Sequence, residues 1–231
     1  MSGLRQIFFD TETTGLRIEE GDRVLDLGCV ELIDRRPTGR HFHRFINPEC
    51  DSHPDALRVH GLTSEFLADK PKFAEIAADF VAFIAGAEIL AHNAAFDVGF
   101  LDAELARLQL PPLASHVSGI TDTLGLAKRL YPGQPNSLDA LCRRLGVDNT
   151  RRTLHGALMD AQLLADVYIG MTRGQNSLLG EVAAGAASAS LGQRQDLSAL
   201  QLTVLPASEQ ELAAHQAVLA DIGKKAAVIW S

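Results

Sequence analysis

The sequence predicts an α/β fold in which helices cover a mixed β-sheet. Apolar runs of strand length occupy the first part of the chain, and beyond them strands mix with stretches of helical periodicity. The length supports this prediction, since 231 residues, 46% of them hydrophobic and 22% charged, are enough for one large core and an appendage.

The first strands are predicted in the N-terminal part. Gln6 to Phe9 is a short apolar run that ends in acidic residues, which is typical of a buried strand. Two further strands are predicted at Val24 to Ile33 and at His41 to Ile46. The turn-prone segment Arg-Arg-Pro-Thr-Gly separates them.

Helical spacing dominates the rest of this part. Pro71 opens a predicted helix that ends near Gly86, with apolar residues at Phe73, Ile76, Ala77, Phe80 and Ile84. A short strand at Glu88 to Ala91 precedes a helix that carries Val98, Leu101, Leu105 and Leu108. Two more helices are predicted at about 137–145 and 156–172.

Charge and cysteine content narrow the class of protein. A formal net charge of −8 argues against loose binding to nucleic acid, which depends on an excess of Lys and Arg. The charge is still compatible with a nucleic-acid enzyme whose acidic residues bind metal ions. The three cysteines have no metal-ligand spacing, which indicates a reducing compartment. Since no signal-peptide pattern or membrane-length apolar run occurs, we expect a cytoplasmic protein without a membrane partner.

Composition divides the chain into three parts. Twelve of the thirteen aromatic residues precede position 175, and residues 183–190 are all Ala, Gly or Ser. Such a segment can bury little apolar area. We therefore predict a folded domain at 1–174, a flexible linker at 175–198 and a C-terminal module at 199–231.

Acidic side chains stand at the ends of two predicted strands. Asp10 and Glu12 end the first one, and their carboxylates point the same way because alternate side chains of a strand share a face. Paired carboxylates favour a cation between them, and Mg²⁺ or Mn²⁺ prefers such oxygen ligands. The alternative is an acidic turn. Asp97 follows a later strand, where it alternatively stabilises the positive end of the next helix.

His155 and Asp160 form a further motif. Five residues on a helix amount to a rotation of about 140° beyond a full turn, so the two cannot share a helical face. We therefore place His155 on the loop before the helix, with Gly156 as a pivot, and Asp160 on its inward face. A buried acid is costly unless it is paired or binds a metal, and a loop histidine suits proton transfer.

The order and context of these motifs resemble the DEDDh exonucleases, a class of 3′→5′ exonucleases with a catalytic histidine. Further segments are similar to the epsilon proofreading subunits of bacterial DNA polymerase III, a family within that class. The similarity covers residues 5 to about 175 and resumes in the C-terminal module. It is carried by Arg5 to Ile7, Asp10 to Gly15, Val59 to Gly61, Asp69 to Pro71, His92 to Phe96, Asn136 to Cys142 and Arg152 to Ala157.

The resemblance implies a ribonuclease-H-like fold with two divalent cations, Mg²⁺ or Mn²⁺, at the strand end. Asp10, Glu12 and Asp160 would hold the first ion. Asp10 would bridge to the second, which Asp97 would support through water. His155 would take the proton of the attacking water, and 5′-nucleotides would leave one at a time from single-stranded or frayed 3′ ends of DNA.

The resemblance also implies contacts with the terminal nucleotide. Besides Asp10, Glu12 and Asp160, these are expected from Thr13, Asp55, His60 and Phe96. The alternative for Phe96 is a core residue, and the alternative for His60 is a loop histidine held by backbone hydrogen bonds. Asp55 stands where the family usually has a glutamate, so its side chain is shorter.

The remaining predictions concern partners of the tail. Gln175, Leu178 and Leu179 resemble a degenerate sliding-clamp peptide without its usual aromatic ending, or match it by chance. Ser208 to Glu211 is a capping box that opens a helix, and strand-like segments flank this helix in a βαβ-like pattern.

Some thirty residues cannot bury a stable core alone, so the C-terminal module is expected to fold on a partner, with Trp230 as an anchor. In the resembling family that partner is the polymerase (alpha) subunit. A small third core subunit is a further candidate partner, for the exonuclease domain.

Two other functions remain open. An RNA-trimming 3′→5′ exonuclease of the same class would use identical metal ligands, although such enzymes usually lack a docking module. An inactive scaffold that stabilises the polymerase would not need all four carboxylates and the histidine.

Overall fold

The computed structural model describes residues 3–150, 154–173 and 208–223. The chain divides into two units, residues 1–184 and 185–231, whose described parts are treated separately. The predicted linker, the segment with Gln175, Leu178 and Leu179, and the segment with Trp230 lie outside the described residues.

A five-stranded mixed sheet forms the centre of the first unit. Its strands are β1 (Arg5–Thr13), β2 (Val24–Ile33), β3 (Arg36–Phe45), β4 (Glu88–Ala91) and β5 (Gly119–Asp122). They lie in the order β3-β2-β1-β4-β5. The first three are antiparallel neighbours, while β1, β4 and β5 run parallel. The predicted mixed sheet is thus confirmed.

Helices cover both faces of this sheet. They are α1 (Pro54–His60), α2 (Ser64–Leu67), α3 (Phe73–Ile84), α4 (Ala94–Arg107), α5 (Thr123–Leu130), α6 (Leu138–Leu145) and α7 (Ala157–Thr172). Across the described part of the chain, every helix is too short or too polar to span a membrane.

The alternation of side chains along β1 separates two cores. Ile7 and Phe9 pack with Phe80 of α3 and its neighbours on one face. Phe8 points to the opposite face and packs with Leu164 of α7. Because α7 lies on the face that Phe8 shares with the later even-numbered residues of β1, this helix covers the end of the strand where the acidic side chains lie.

The β2–β3 hairpin corrects one sequence prediction. The strand predicted at His41 to Ile46 begins earlier, at Arg36, and the turn is made by Asp34 and Arg35 alone. Both have left-handed backbones, with φ of 48° and 66°, as a two-residue hairpin turn requires. Pro37 does not break the strand because β3 is the sheet edge, where a missing N–H can face solvent.

The second unit contributes one described helix, α8 (Glu209–Gly223). Its predicted capping box is confirmed. The Ser208 N–H donates to Glu211 Oε2 at 2.8 Å, and the Glu211 N–H donates to Ser208 Oγ at 3.3 Å. Leu212 and Val218 remain 51% and 58% exposed, so this helix leaves apolar side chains uncovered.

Candidate active site

Strand β1 presents Asp10 and Glu12 on the face that α7 covers. Glu12 is buried, and Asp10 is partly exposed. On the neighbouring strand β2, Gly28 lies opposite Asp10 and Asp26 lies opposite Glu12. The pairing shifts only after Glu12. Both carboxylates therefore stand on backbone that a regular strand pair holds.

The start of α7 brings His155 and Asp160 to the same place. His155 precedes the helix, and His155 Nδ1 lies 3.4 Å from Asp160 Oδ2. The Asp160 side chain is 3% exposed and the His155 side chain 46%. The structure thus agrees with the expected placement of a loop histidine before the helix and an inward acid on it.

One group among the described residues has the geometry of a metal site. Glu12, His155 and Asp160 each offer one ligand atom, and these atoms lie within 4.8 Å of one another. Asp10 and Asp97, also predicted as ligands, are not members of this group. Two carboxylates with an imidazole suit a divalent cation. The residues present therefore fit a metal.

Asp97 reaches β1 from the other face of the sheet. It lies in the first turn of α4, and its Oδ1 accepts hydrogen bonds from the Thr11 N–H at 3.1 Å and the Thr11 hydroxyl at 2.7 Å. Burial raises the pKa of Asp97 to about 6, although the bonds from Thr11 act in the opposite direction. Asp97 therefore holds the residue that lies between Asp10 and Glu12.

The start of α4 is itself tightly bound. Asn93 has a left-handed backbone with φ of 74°, and its N–H donates to Asp122 Oδ1 at 3.0 Å. Beside it, the ring of His92 lies 2.8 Å from the Asn136 carbonyl through Nε2 and 3.0 Å from Thr123 Oγ1 through Nδ1. Burial lowers the pKa of His92.

Helix α1 touches the loop before α7. The His155 N–H donates to the Val59 carbonyl at 3.2 Å. His60, the last residue of α1, is buried, and its Nδ1 accepts from the Leu62 N–H at 2.9 Å. Burial lowers the pKa of His60. This geometry supports the alternative of a backbone-held histidine, while a nucleotide contact stays a prediction.

Of the other predicted substrate contacts, Asp55 lines a surface cavity and Thr13 lies near it. A cavity of about 480 Å³ beside the end of β1 is lined in part by Leu16, Val59 and the exposed Asp55. Thr13 is buried next to it, and its hydroxyl donates to the Gly15 carbonyl at 2.6 Å. Asp55 is therefore accessible to a ligand in this cavity, whereas the Thr13 hydroxyl is already committed to the turn.

The position of Phe96 fits either of its two predicted roles. It is partly buried and packs against the core, with its ring centroid 4.9 Å from that of Phe100. Its remaining surface is exposed next to Asp97.

Sequence reasoning missed Asp26 at this site. It is buried on β2, and its Oδ2 accepts from the Ala157 N–H at the start of α7 at 3.0 Å. The signal was present, since an acid inside the apolar strand Val24–Ile33 is costly unless it is hydrogen-bonded. Its partner, 131 residues away, could not be read from local sequence.

Comparison with known proteins identifies the class. The sequence model of the RNase_T exonuclease family matches residues 7–168, and the chain belongs to this exonuclease family. A more specific likeness is to "DNA polymerase III subunit epsilon" of Pasteurella multocida, with 49% identity over 229 residues that cover 96% of this chain and 90% of the relative.

Solved structures show the same fold. A structure of "Exonuclease X in complex with 5′ overhanging duplex DNA" is 27% identical, with a TM-score of 0.57, and covers 75% of this chain and 93% of its own. The nuclease domain of 3′hExo, described as a DEDDh family member bound to rAMP, shares the fold at 17% identity. Its TM-score is 0.61, with 74% of this chain and 93% of that domain covered.

Proposed function

We propose that this chain is a 3′→5′ DNA exonuclease that proofreads for a replicative DNA polymerase, removing mismatched 3′-terminal nucleotides as 5′-monophosphates. The proposal rests on the proximity of Glu12, His155 and Asp160 at the end of β1, where one ligand atom of each lies within 4.8 Å of the others. The family of the chain and its likeness to an epsilon subunit supply the substrate and the setting.

The acidic residues would hold two divalent cations, Mg²⁺ or Mn²⁺. Asp10, Glu12 and Asp160 would bind the first, with Asp10 shared with the second and Asp97 supporting it through water. Bound ions of this kind neutralise phosphate charge and make water a nucleophile at neutral pH. The chain itself supplies rigid placement, because Asp10 and Glu12 stand on paired strand and Asp97 is bonded to Thr11 between them.

His155 would receive the proton of the attacking water. Its Nδ1 faces Asp160 at 3.4 Å, so the proton is received at Nε2. A nearby carboxylate stabilises the imidazolium that results. The half-exposed ring remains within reach of solvent water, while the buried Asp160 fixes its direction.

The terminal nucleotide would lie between α1 and the start of α4. The cavity of about 480 Å³ offers apolar walls at Leu16 and Val59 and a carboxylate at Asp55. The exposed part of Phe96 would stack on a base, a contact that tolerates any sequence. His60 and Thr13 would contact the same nucleotide.

The C-terminal module would attach the exonuclease to the polymerase (alpha) subunit in the bacterial cytoplasm. The exposed Leu212 and Val218 of α8 support this role, because large apolar side chains left in solvent mark surfaces that partners cover. Trp230 would anchor the module, Gln175 to Leu179 would bind a sliding clamp weakly, and a small third subunit would contact the nuclease domain. A chain ending at residue 174 is expected to keep nuclease activity and to elute separately from the polymerase; co-elution would contradict the docking role.

The test of the activity uses three 5′-labelled substrates of one sequence: single-stranded DNA, a primer with a mismatched 3′ end, and single-stranded RNA. In Mg²⁺, both DNA substrates should give ladders of single-nucleotide losses that EDTA abolishes. A preference for RNA would indicate a trimming enzyme. The absence of metal-dependent cleavage on every strand would indicate a scaffold.

A further inference from the structure

Asp26 lies at the junction of β2, β3 and α7. The residue is 1% exposed, and its carboxylate accepts two hydrogen bonds, one on each oxygen. The Ala157 N–H donates to Oδ2 at 3.0 Å, and His43 Nε2–H donates to Oδ1 at 2.9 Å. A buried carboxylate is thereby paired on both sides, which fixes its orientation.

Helix α7 depends on this carboxylate because it has no cap of its own. Its N-cap is Gly156, which provides no side-chain acceptor for the first-turn N–H groups. Asp26 supplies both the acceptor and a negative charge at the positive end of the helix. The cap therefore comes from the sheet, and it ties the helix start to β2.

Gly28 allows the same helix start to lie directly on the sheet. A Cβ at Gly28 would lie 2.2 Å from the backbone nitrogen of Leu158, so any larger residue would push α7 away. Gly28 and Asp26 lie opposite Asp10 and Glu12 in the β1–β2 register. The two residues that seat α7 are thus the cross-strand neighbours of the two β1 carboxylates.

We propose that Asp26, oriented by His43, is a positioning residue for the reaction: it sets the start of α7 and with it the placement of His155 and Asp160 relative to Glu12. His155 lies two residues before the N–H that Asp26 holds, and Asp160 lies in the first turn after it. The inference rests on the proposed exonuclease activity and extends it to a carboxylate that is not expected to touch substrate.

A cap that serves only stability and a cap that positions the site predict different kinetics. Loss of a stabilising cap lowers the melting temperature and leaves kcat of the folded enzyme unchanged. Loss of a positioning group lowers kcat while KM for DNA stays constant, because the expected strand contacts Asp55, His60 and Phe96 lie on α1 and α4. The decisive quantity is therefore kcat of folded protein.

The experiment compares full-length Asp26→Ala, Asp26→Asn and Asp102→Ala with the unmodified chain. Asp102 is the matched control, because its carboxylate also accepts from one backbone N–H, that of Leu113 at 2.6 Å, and Leu113 lies between α4 and β5 in a segment that carries none of the proposed site residues. Asp26→Asn keeps an acceptor for the Ala157 N–H but turns a donor towards His43. If Asp26→Ala does not fold, the comparison is made with Asp26→Asn alone.

We expect kcat on single-stranded DNA to fall about 10- to 100-fold in Asp26→Ala, the usual effect of losing a group that orients site residues. Asp26→Asn should lie between it and the unmodified chain. KM should stay constant, and Asp102→Ala should keep full kcat despite a comparable loss of melting temperature. Unchanged kcat in folded Asp26 variants, or a change confined to KM, would overturn the inference. An unmodified chain that cleaves nothing would instead refute the proposed function.

A second measurement needs no metal and no catalysis. In EDTA, amide exchange of Ala157 should be slow in the unmodified chain and in Asp102→Ala, and fast in Asp26→Ala. The NMR signals of the His155 ring should shift in both Asp26 variants and not in the control. Unmoved His155 signals would show that Asp26 does not position this side chain.

Discussion

The helices α4 and α7 both bring a buried aspartate to the end of β1, yet their first turns are held differently. At α4, Asn93 has a left-handed backbone bonded to Asp122, and Asp97 is bonded directly to β1 through Thr11. At α7, the helix start is bonded to β2 through Asp26, and the preceding His155 is half exposed.

The two histidines beside these helix starts show the same contrast. His92 has a partner for each ring nitrogen and lies within the junction of β4, α5 and the loop at Asn136. His155 faces Asp160 with one nitrogen and presents nearly half of its side chain to solvent. One side of the site is therefore built as fixed support, whereas the other side places His155, the proposed proton-transfer group, within reach of water.

The largest effects are expected from the two aspartates themselves. Asp97→Asn and Asp160→Asn should each lower kcat by about 1,000-fold or more, since several kcal/mol of charge stabilisation depend on the ions that these carboxylates would hold, Asp160 directly and Asp97 through water. In EDTA their stabilities should differ. Asp160→Asn should raise the free energy of unfolding because it relieves repulsion with Glu12, whose ligand atom lies within 4.8 Å.

The corresponding alanine variant tests the support at α4. Asp97→Ala leaves the Thr11 N–H and hydroxyl buried without their acceptor, which should cost about 1–3 kcal/mol of unfolding free energy. Urea unfolding in EDTA measures both differences. Equal stability changes at Asp97 and Asp160 would contradict the distinction between a support and a ligand.

A smaller effect is expected from the histidines, and the pair is matched. His155→Gln should lower kcat about 100- to 10,000-fold, the range for removing a general base, with little change in melting temperature. His92→Gln should instead lower the free energy of unfolding by about 1–3 kcal/mol through imperfect replacement of two buried hydrogen bonds, and leave kcat nearly unchanged. Steady-state kinetics and thermal unfolding measure these two effects. A loss of kcat in His92→Gln together with a loss of stability alone in His155→Gln would refute the contrast between the two histidines.

Most of the framework could be predicted from local sequence. Periodicity located β4 at Glu88–Ala91 and the helices α6 and α7, and the spacing of His155 and Asp160 indicated which of them precedes the helix. Short elements were missed. Helix α1 has seven residues of which only His60 is buried, and the four residues of β5 are all partly or fully exposed, so neither shows a clear apolar pattern.

The supporting contacts of the site could not be predicted because they join distant segments. Asp26 and Ala157 are 131 positions apart, and Thr11 and Asp97 are 86 apart. Sequence identified the carboxylates by their proximity to strand ends. It could not show that β2 carries the cap of α7, since this depends on the β1–β2 register and on the close approach at Gly28.

The smallest expected effect concerns pH and again distinguishes the buried histidine. Burial lowers the pKa of His92, and Lys128 lowers it further, while the Asn136 carbonyl and Asp122 act in the opposite direction. In the unfolded chain a histidine has its ordinary pKa of about 6.5. Below that pH the unfolded chain binds a proton that folded His92 excludes, so stability is lost as pH falls.

This contribution should be absent above about pH 6.5 and should approach a slope of at most about 1.4 kcal/mol per pH unit below it. His92→Gln should reduce the slope of the stability curve on its acid side by that amount. Burial also lowers the pKa of His60, but His60 contributes to this slope equally in both proteins. Urea unfolding in EDTA from pH 7.5 to about pH 5 measures the difference. Parallel curves for the two proteins would mean that folded His92 binds a proton as readily as the unfolded chain does, which would remove the contrast between the two helix starts.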